Sequence, residues 1–387
     1  MTKPIYLDYH ATTPVDPRVL DAMLPYFTER FGNPASRQHS YGWDAQKAVD
    51  TARAQVAALI GAVPGEIVFT SGASESNNLA IKGIAACMRG KGDHFVTVAT
   101  EHKSVLDTFK KLAQEGWRVT FLPVDREGFI NLDELRAAIT DRTVLVSAMT
   151  ANNEIGTVQP LAEIGAITSE RGVLFHTDAA QAAGKVPIDV HAMNVDLLSL
   201  TGHKYYGPKG CGALFIRRRK PRIELACQID GGGHENGFRS GTLNVPGIVG
   251  LGAAAEICRT NLDAERQKLG ALRDRLLSLL RSGIDNVHVN GPLDDRRLSH
   301  NLHVSFPGVD GERLLMAIGD LAVSTGSACS SGSAAASHVL EAIGATAIPG
   351  ASIRFGIGRM TTEEEIDTAA ARVVKVVQSL GSKAVTA

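Results

Sequence analysis

Short apolar runs punctuate the chain between residues 66 and 218, and stretches with apolar residues every three or four positions separate them. The runs are Glu66–Thr70, Phe95–Ala99, Val119–Pro123, Val144–Met149, Leu174–Asp178, Leu197–Leu200 and Ala213–Ile216. Stretches such as Lys103–Glu115 and Leu161–Glu170 have the spacing of amphipathic helices. Runs that are apolar on both faces need cover on both sides, so the alternation predicts an α/β domain built on a largely parallel sheet. Ligands of such sheets sit beyond the carboxyl ends of the strands, which is where informative residues are expected.

After about residue 262 the pattern changes. A helix is predicted over Ala264–Leu280, followed by shorter strands at Val287–Asn290, Asn301–Phe306 and Ile353–Gly356. Thr361-Thr362-Glu363-Glu364 reads as a capping box opening a helix to about Leu380, with a frayed tail from Gly381 to Ala387. This half predicts a second, smaller α+β domain. Neither an internal repeat nor a low-complexity linker interrupts the chain.

Composition narrows the function without naming it. Among 387 residues, 40 Lys and Arg balance 41 Asp and Glu, so no global field favours nucleic acid or an anionic membrane. The basic run Arg217-Arg218-Arg219-Lys220, lying between a strand and Pro221, reads as a solvated turn. Five cysteines (87, 211, 227, 258 and 329) show no metal-like spacing and an odd count, which suggests a reducing compartment. The N-terminus carries no secretory pattern, and no apolar run is long enough to span a membrane. A cytoplasmic enzyme is the expectation.

Three strand ends carry chemistry. Thr70-Ser71-Gly72-Ala73-Ser74-Glu75-Ser76-Asn77-Asn78 follows a strand and opens a helix, so its backbone N–H groups suit a phosphate, although a Ser-capped helix start without ligand reads equally from these residues alone. In His176-Thr177-Asp178-Ala179-Ala180-Gln181 an acid ends an apolar element, where it needs a cation or donors, whether backbone amides or a protonated ring nitrogen. Lys204, hemmed by glycines in Gly202-His203-Lys204-Tyr205-Tyr206-Gly207, is placed for use as an amine nucleophile. Together these are handles for the phosphate, ring nitrogen and aldehyde of pyridoxal phosphate.

With those residues in view, the chain resembles the fold-type I pyridoxal-phosphate enzymes. Within them it is similar to the class V bacterial cysteine desulfurases, which supply sulfur for iron–sulfur clusters. The likeness runs in order through Tyr6-Leu7-Asp8, Ala11-Thr12-Thr13-Pro14, Phe31-Gly32-Asn33-Pro34, Thr70–Asn78, Glu101-His102 and Asn152-Asn153-Glu154. It continues through His176–Gln181, Gly202-His203-Lys204, Gly231–Glu235, Arg239-Ser240-Gly241-Thr242, Gly326-Ser327-Ala328-Cys329 and Ser352–Gly356.

The resemblance implies a large domain over 16–262 with a mostly parallel seven-stranded sheet. It implies a small α+β domain of 1–15 and 263–387 that carries a catalytic loop at about 323–335. Lys204 would hold the cofactor covalently and shuttle the Cα proton, Asp178 would pair with the ring nitrogen, and Gln181 would bond the phenolic oxygen. His102 would stack on the ring and assist proton transfer. Ala73, Ser74, Thr201 and His203 would hold the phosphate, joined by Thr242 of a second subunit in a homodimer. Asn153 would lie at cofactor and substrate, with Arg354 and Asn33 at the substrate carboxylate.

Cys329 stands in Ser324–Ser333 among small polar residues and glycines, the setting of a loop thiol rather than a core cysteine. The resemblance makes it the sulfur acceptor that forms a persulfide, passes sulfur to an acceptor protein, and could transiently ligate an iron–sulfur cluster; no resident metal is expected. Cys87 and Cys258 read as core, and Cys211 as a rival thiol that matches no catalytic position. The function implied is conversion of L-cysteine to L-alanine. Selenocysteine lyase, cysteine sulfinate desulfinase and aminotransferase are alternatives within the class, and a non-catalytic iron–sulfur assembly scaffold is an alternative outside it. Ser74 and Thr201 exchange hydroxyl types relative to many relatives, Ala334-Ala335-Ala336 replaces a Leu-Glu-Pro segment, and His10 stands where many relatives carry a smaller residue, without an assigned role.

Overall fold

The computed structural model describes residues 3–325, 337–347 and 349–384. Cys329 and the Ala334-Ala335-Ala336 segment lie outside the described residues. After a two-residue strand β1 (Ile5–Tyr6) come β2 (Ile67–Thr70), β3 (His94–Val98), β4 (Arg118–Leu122), β5 (Thr143–Ser147), β6 (Leu174–Asp178), β7 (Leu197–Thr201) and β8 (Gly212–Ile216). The last seven form one sheet in the order β2-β8-β7-β6-β5-β3-β4. All its pairings are parallel except those of β8, which runs antiparallel to both β2 and β7. Every residue of β3, β5, β6, β7 and β8 is buried, as runs apolar on both faces require.

The sheet's two faces pack into two apolar clusters, one around Val96, Phe175, Leu198 and Phe215, the other around Phe95, Phe109, Leu145 and Leu214. A third cluster joins Leu7 to Leu269–Leu280, Leu302–Phe306, Ile353–Ile357 and Ile366–Val377. In that half β9 (His288–Val289), β10 (Asn301–Pro307) and β12 (Gly350–Gly356) form an antiparallel sheet in the order β12-β10-β9. β11 (Leu321–Ala322) pairs in parallel with β1.

Two expectations are corrected. The helix expected over 264–280 runs from Val245 to Gly283. Gly247, Gly250 and Gly252 lower its intrinsic helix propensity, but they are what lets it pack closely. A Cβ at Gly252 would stand 2.5 Å from Ala52 Cα, and one at Gly250 2.5 Å from Met23 Sδ. Tertiary packing overrides propensity here. The last helix starts at Glu363, its capping box is the reciprocal pair of Thr362 and Glu365, and it continues to Ala384, past the point where fraying was expected.

Candidate active site

A cavity of about 530 Å³ opens at the carboxyl ends of β2, β6 and β7. Ala73, Ser74, His102, Asn153, Asp178, Gln181, Thr201, His203, Lys204 and Arg354 all line it. The fold therefore gathers ten of the expected residues from across the chain. Asn33 and Thr242 are exposed and do not line this cavity; Asn33 instead accepts a hydrogen bond from the Ala35 amide.

At one side lies the start of the helix Ala73–Met88, whose N-cap is Gly72 at φ 153° with no side-chain cap. The Ser-capped alternative is thereby removed. A 16-residue helix presents its positive end and uncapped N–H groups to the cavity, the arrangement that suits an anion. Gly72 is the residue that can hold this turn, because a φ of 153° is one that side-chain-bearing residues rarely adopt.

Lys204 and His203 belong to the turn Gly202–Lys204 that follows β7. The N-terminal segment clamps this turn. Thr13 Oγ1 donates to the His203 carbonyl at 3.0 Å and accepts from the Tyr206 amide at 2.8 Å. Lys204 Nζ in turn donates to the carbonyls of His10 at 2.5 Å and Ala11 at 2.8 Å. Burial foremost, then the charges of Lys204 and Lys209, hold His203 down to about 4, so its ring is neutral near pH 7.

Asp178 ends β6 and is only 4 % exposed. Its Oδ1 accepts from the Ala180 amide at 2.9 Å and its Oδ2 from Asn77 Nδ2 at 2.8 Å. The same Asn77 nitrogen donates to Ser104 Oγ at 2.9 Å, and Ser104 Oγ lies 2.9 Å from His102 Nδ1. His102 is the N-cap of the helix Lys103–Gln114, and its Nδ1 also accepts from the Ser104 amide at 3.2 Å. A backbone N–H can only donate, so in the neutral ring the proton sits on Nε2. Beside this network Glu101 is fully buried. Burial first and the Asp178 carboxylate second push it well above the usual carboxylate range.

Arg354 on β12 is 2 % exposed. Its Nη1 donates to the Asn153 carbonyl at 2.9 Å and its Nη2 to Asp8 Oδ1 at 2.9 Å, while its buried Nε has no hydrogen-bond partner among the described residues. A planar donor group at a cavity wall suits a carboxylate ligand. Cys211 and Cys258 are buried, and Cys87 is half-buried. Burial pushes the Cys211 thiol up to about 11, which removes the thiolate character a nucleophile needs.

Asn77 and Ser104, which the sequence did not single out, link Asp178 to His102. Asn77 sits in the polar run that opens its helix, and a polar residue fully buried on a helix face is the signal that could have marked it.

The chain matches the family Aminotransferase class-V over residues 5–368. It is 57% identical over 370 residues to "Cysteine desulfurase IscS" of Anaeromyxobacter sp. (strain K), which covers 95% of this chain and 91% of that one. Among solved structures, a "NifS-like protein" superimposes with a TM-score of 0.90 at 37% identity, covering 97% of this chain and 100% of its own. The structure titled "SspA in complex with cysteine" gives a TM-score of 0.80 at 39% identity, covering 92% and 99%. The protein belongs to the class V aminotransferase family, and its α/β fold is that of the NifS-like proteins.

Proposed function

We propose that the cavity binds pyridoxal phosphate and that the protein is a cysteine desulfurase, taking L-cysteine to L-alanine and passing the sulfur on. The observation that carries the reading is one cavity lined by an uncapped helix start, a buried Asp178 and Lys204. These fit the cofactor's phosphate, ring nitrogen and aldehyde. When bound, the cofactor supplies an electron sink for the bond-breaking at the substrate Cα and Cβ.

The chain's own residues do the rest. The amides of Ala73 and Ser74, with Thr201 and His203, hold the phosphate, and Asp178 keeps a proton on the ring nitrogen. Asn153 and the Arg354 guanidinium hold the substrate carboxylate, which presents the Cα–H to the Lys204 amine. Lys204 removes that proton and later returns one. His102, whose neutral ring carries its proton on Nε2, would stack on the ring and donate there. The Cys329 thiolate then attacks the substrate sulfur: an S–S bond forms, the Cβ–S bond breaks, and its electron pair leaves with the alanine skeleton, which takes up protons. Cys329 is left as a persulfide for an acceptor protein serving iron–sulfur assembly.

Residues 16–262 are read as the large domain and 1–15 with 263–387 as the small one, a division supported by the separate apolar cluster joining Leu7 to the C-terminal half. A homodimer with Thr242 reaching the partner's cofactor is supported by the exposure of Thr242 and of Leu20, Leu24, Phe27, Phe31, Tyr41 and Trp43. Among the described residues no helix is long and apolar enough to cross a membrane, and a cytoplasmic setting is proposed on the sequence grounds above.

The test compares alanine and sulfur release from cysteine, selenocysteine and cysteine sulfinate. Cysteine should be turned over with persulfide on the protein. Lys204→Ala should abolish turnover while keeping some noncovalent cofactor, and Cys329→Ala should lose the persulfide but still show a spectral response to cysteine. Near wild-type turnover by Lys204→Ala would refute the assignment.

A further inference from the structure

His10 takes no part in the steps above, yet its ring lines the cavity and is 1 % exposed. Its Nδ1 lies 3.0 Å from Gln181 Oε1 and its Nε2 lies 3.0 Å from Asn301 Nδ2. Which nitrogen carries the proton is decided by groups further out. Arg297, 4 % exposed, can only donate, and its Nη1 is 2.9 Å from Asn301 Oδ1. On its other side Asn301 Nδ2 donates to the Glu154 carbonyl at 2.9 Å, a group that can only accept. The Asn301 amide therefore has one orientation, and its second Nδ2 hydrogen meets His10 Nε2, which must accept it. The ring proton then sits on Nδ1 and is donated to Gln181 Oε1.

The far end agrees independently. Gln181 Nε2 donates to the main-chain carbonyl of His10 at 3.0 Å, which fixes the Gln181 amide in the same sense. Each member from Arg297 to Gln181 has a single allowed role, and the residues it joins are 291 positions apart at His10 and Asn301.

We propose that His10 is a positioning residue. Held in its Nδ1–H form by Arg297 and Asn301, it locks the Gln181 carboxamide so that its Nε2 faces the cavity as a donor to the phenolic oxygen of the cofactor. This rests on the pyridoxal-phosphate reading. A flipped Gln181 would set its carbonyl oxygen against that oxygen, and two acceptors repel. Two features support the relay. His300 stacks on His10 with ring centroids 4.5 Å apart, fixing the ring plane. Burial foremost, then Arg354, with Lys204 and Lys185, keep His10 well below its ordinary range and hence neutral.

Two substitutions separate donor polarity from bulk. An Asn amide nitrogen at position 10 falls close to the place of imidazole Nδ1, whereas a Gln amide reaches toward that of Nε2. His10→Asn should keep the affinity of the apo-protein for pyridoxal phosphate within about threefold of wild type. His10→Gln should lose about tenfold, the scale of one hydrogen bond to a charged oxygen, and should shift the bound cofactor's absorption maximum. A space-filling role predicts the reverse order, because Gln is nearer His in size. In addition, ¹⁵N-histidine NMR of the wild-type apo-protein should show His10 protonated on Nδ1. A ring protonated on Nε2, or a His10→Gln variant that binds as wild type with an unchanged spectrum, would overturn the proposal. Failure of the wild-type protein to bind pyridoxal phosphate would refute the functional reading instead, and the nitrogen spectrum alone would then decide the relay.

Discussion

Asn77 Nδ2 donates to Asp178 Oδ2 at 2.8 Å, and through that single nitrogen the acid at the end of β6 is tied to Ser104 and so to His102. One buried amide on the helix Ala73–Met88 is thus tied to both the group read as the partner of the ring nitrogen and the group read as stacking on the ring. Loss of that amide would remove a donor from Asp178 and from Ser104 at once.

Asn77→Ala should raise the dissociation constant of pyridoxal phosphate about tenfold, since a hydrogen bond to a charged carboxylate is worth roughly 1.5–3 kcal/mol. Asn77→Asp, nearly the same shape, should do worse, because it sets a second acid against Asp178 where the first has a donor. Titration of the apo-proteins reads both. An Asn77→Asp protein that binds as wild type would leave Asn77 a packing residue only.

Glu154 supplies a pH dependence with a definite sign. It is 5 % exposed and accepts from Ser337 Oγ at 2.5 Å, just beyond the 326–336 segment. Burial foremost pushes its carboxyl up from 4.5 to about 7. The folded protein therefore binds a proton there that the unfolded chain has released. The stability this contributes is complete below about 4.5 and is lost as pH rises through about 7. A gap of this size corresponds to about 3 kcal/mol. Glu154→Gln cannot ionise, so urea unfolding at pH 5 and pH 8 should show the variant gaining on wild type by up to that amount at the higher pH. A wild-type-to-variant difference that stays flat across this range would refute the buried proton.

The sheet was legible because strands buried on both faces must be apolar throughout, and their polar ends then stand out. Asp178 and Lys204 were found in this way. The long helix from Val245 was half hidden because its glycines argue against a helix until their neighbours, Ala52 and Met23, are known. The polar networks were hidden more deeply. Nothing local to Asn77 points to Ser104, and nothing local to His10 points to Asn301; those pairings come from chain crossings that no periodicity encodes.

Thr242 provides the sharpest test of how the site is assembled. The loop that bears it is anchored at both ends of its course. Glu235 accepts from Arg53 at 2.7 and 2.8 Å and from the Phe69 amide at 2.8 Å, and Arg239 Nε donates to Glu75 Oε1 at 2.9 Å. Glu75 lines the cavity, yet Thr242, three residues beyond Arg239, is exposed and faces no part of it. If a two-fold partner brings its own Thr242 to this cavity, each site of the dimer is shared. Thr242→Asp should then weaken the cofactor held by the other subunit, by placing a carboxylate against a phosphate. Lys204→Ala disables the site on its own chain but leaves its Thr242 able to serve the partner. Mixing the two impaired variants under conditions of subunit exchange should give hybrids with one working site each, about half the activity of a wild-type dimer. Subunit exchange verified by mass-tagged chains, with hybrids that remain inactive, would place Thr242 outside the shared site.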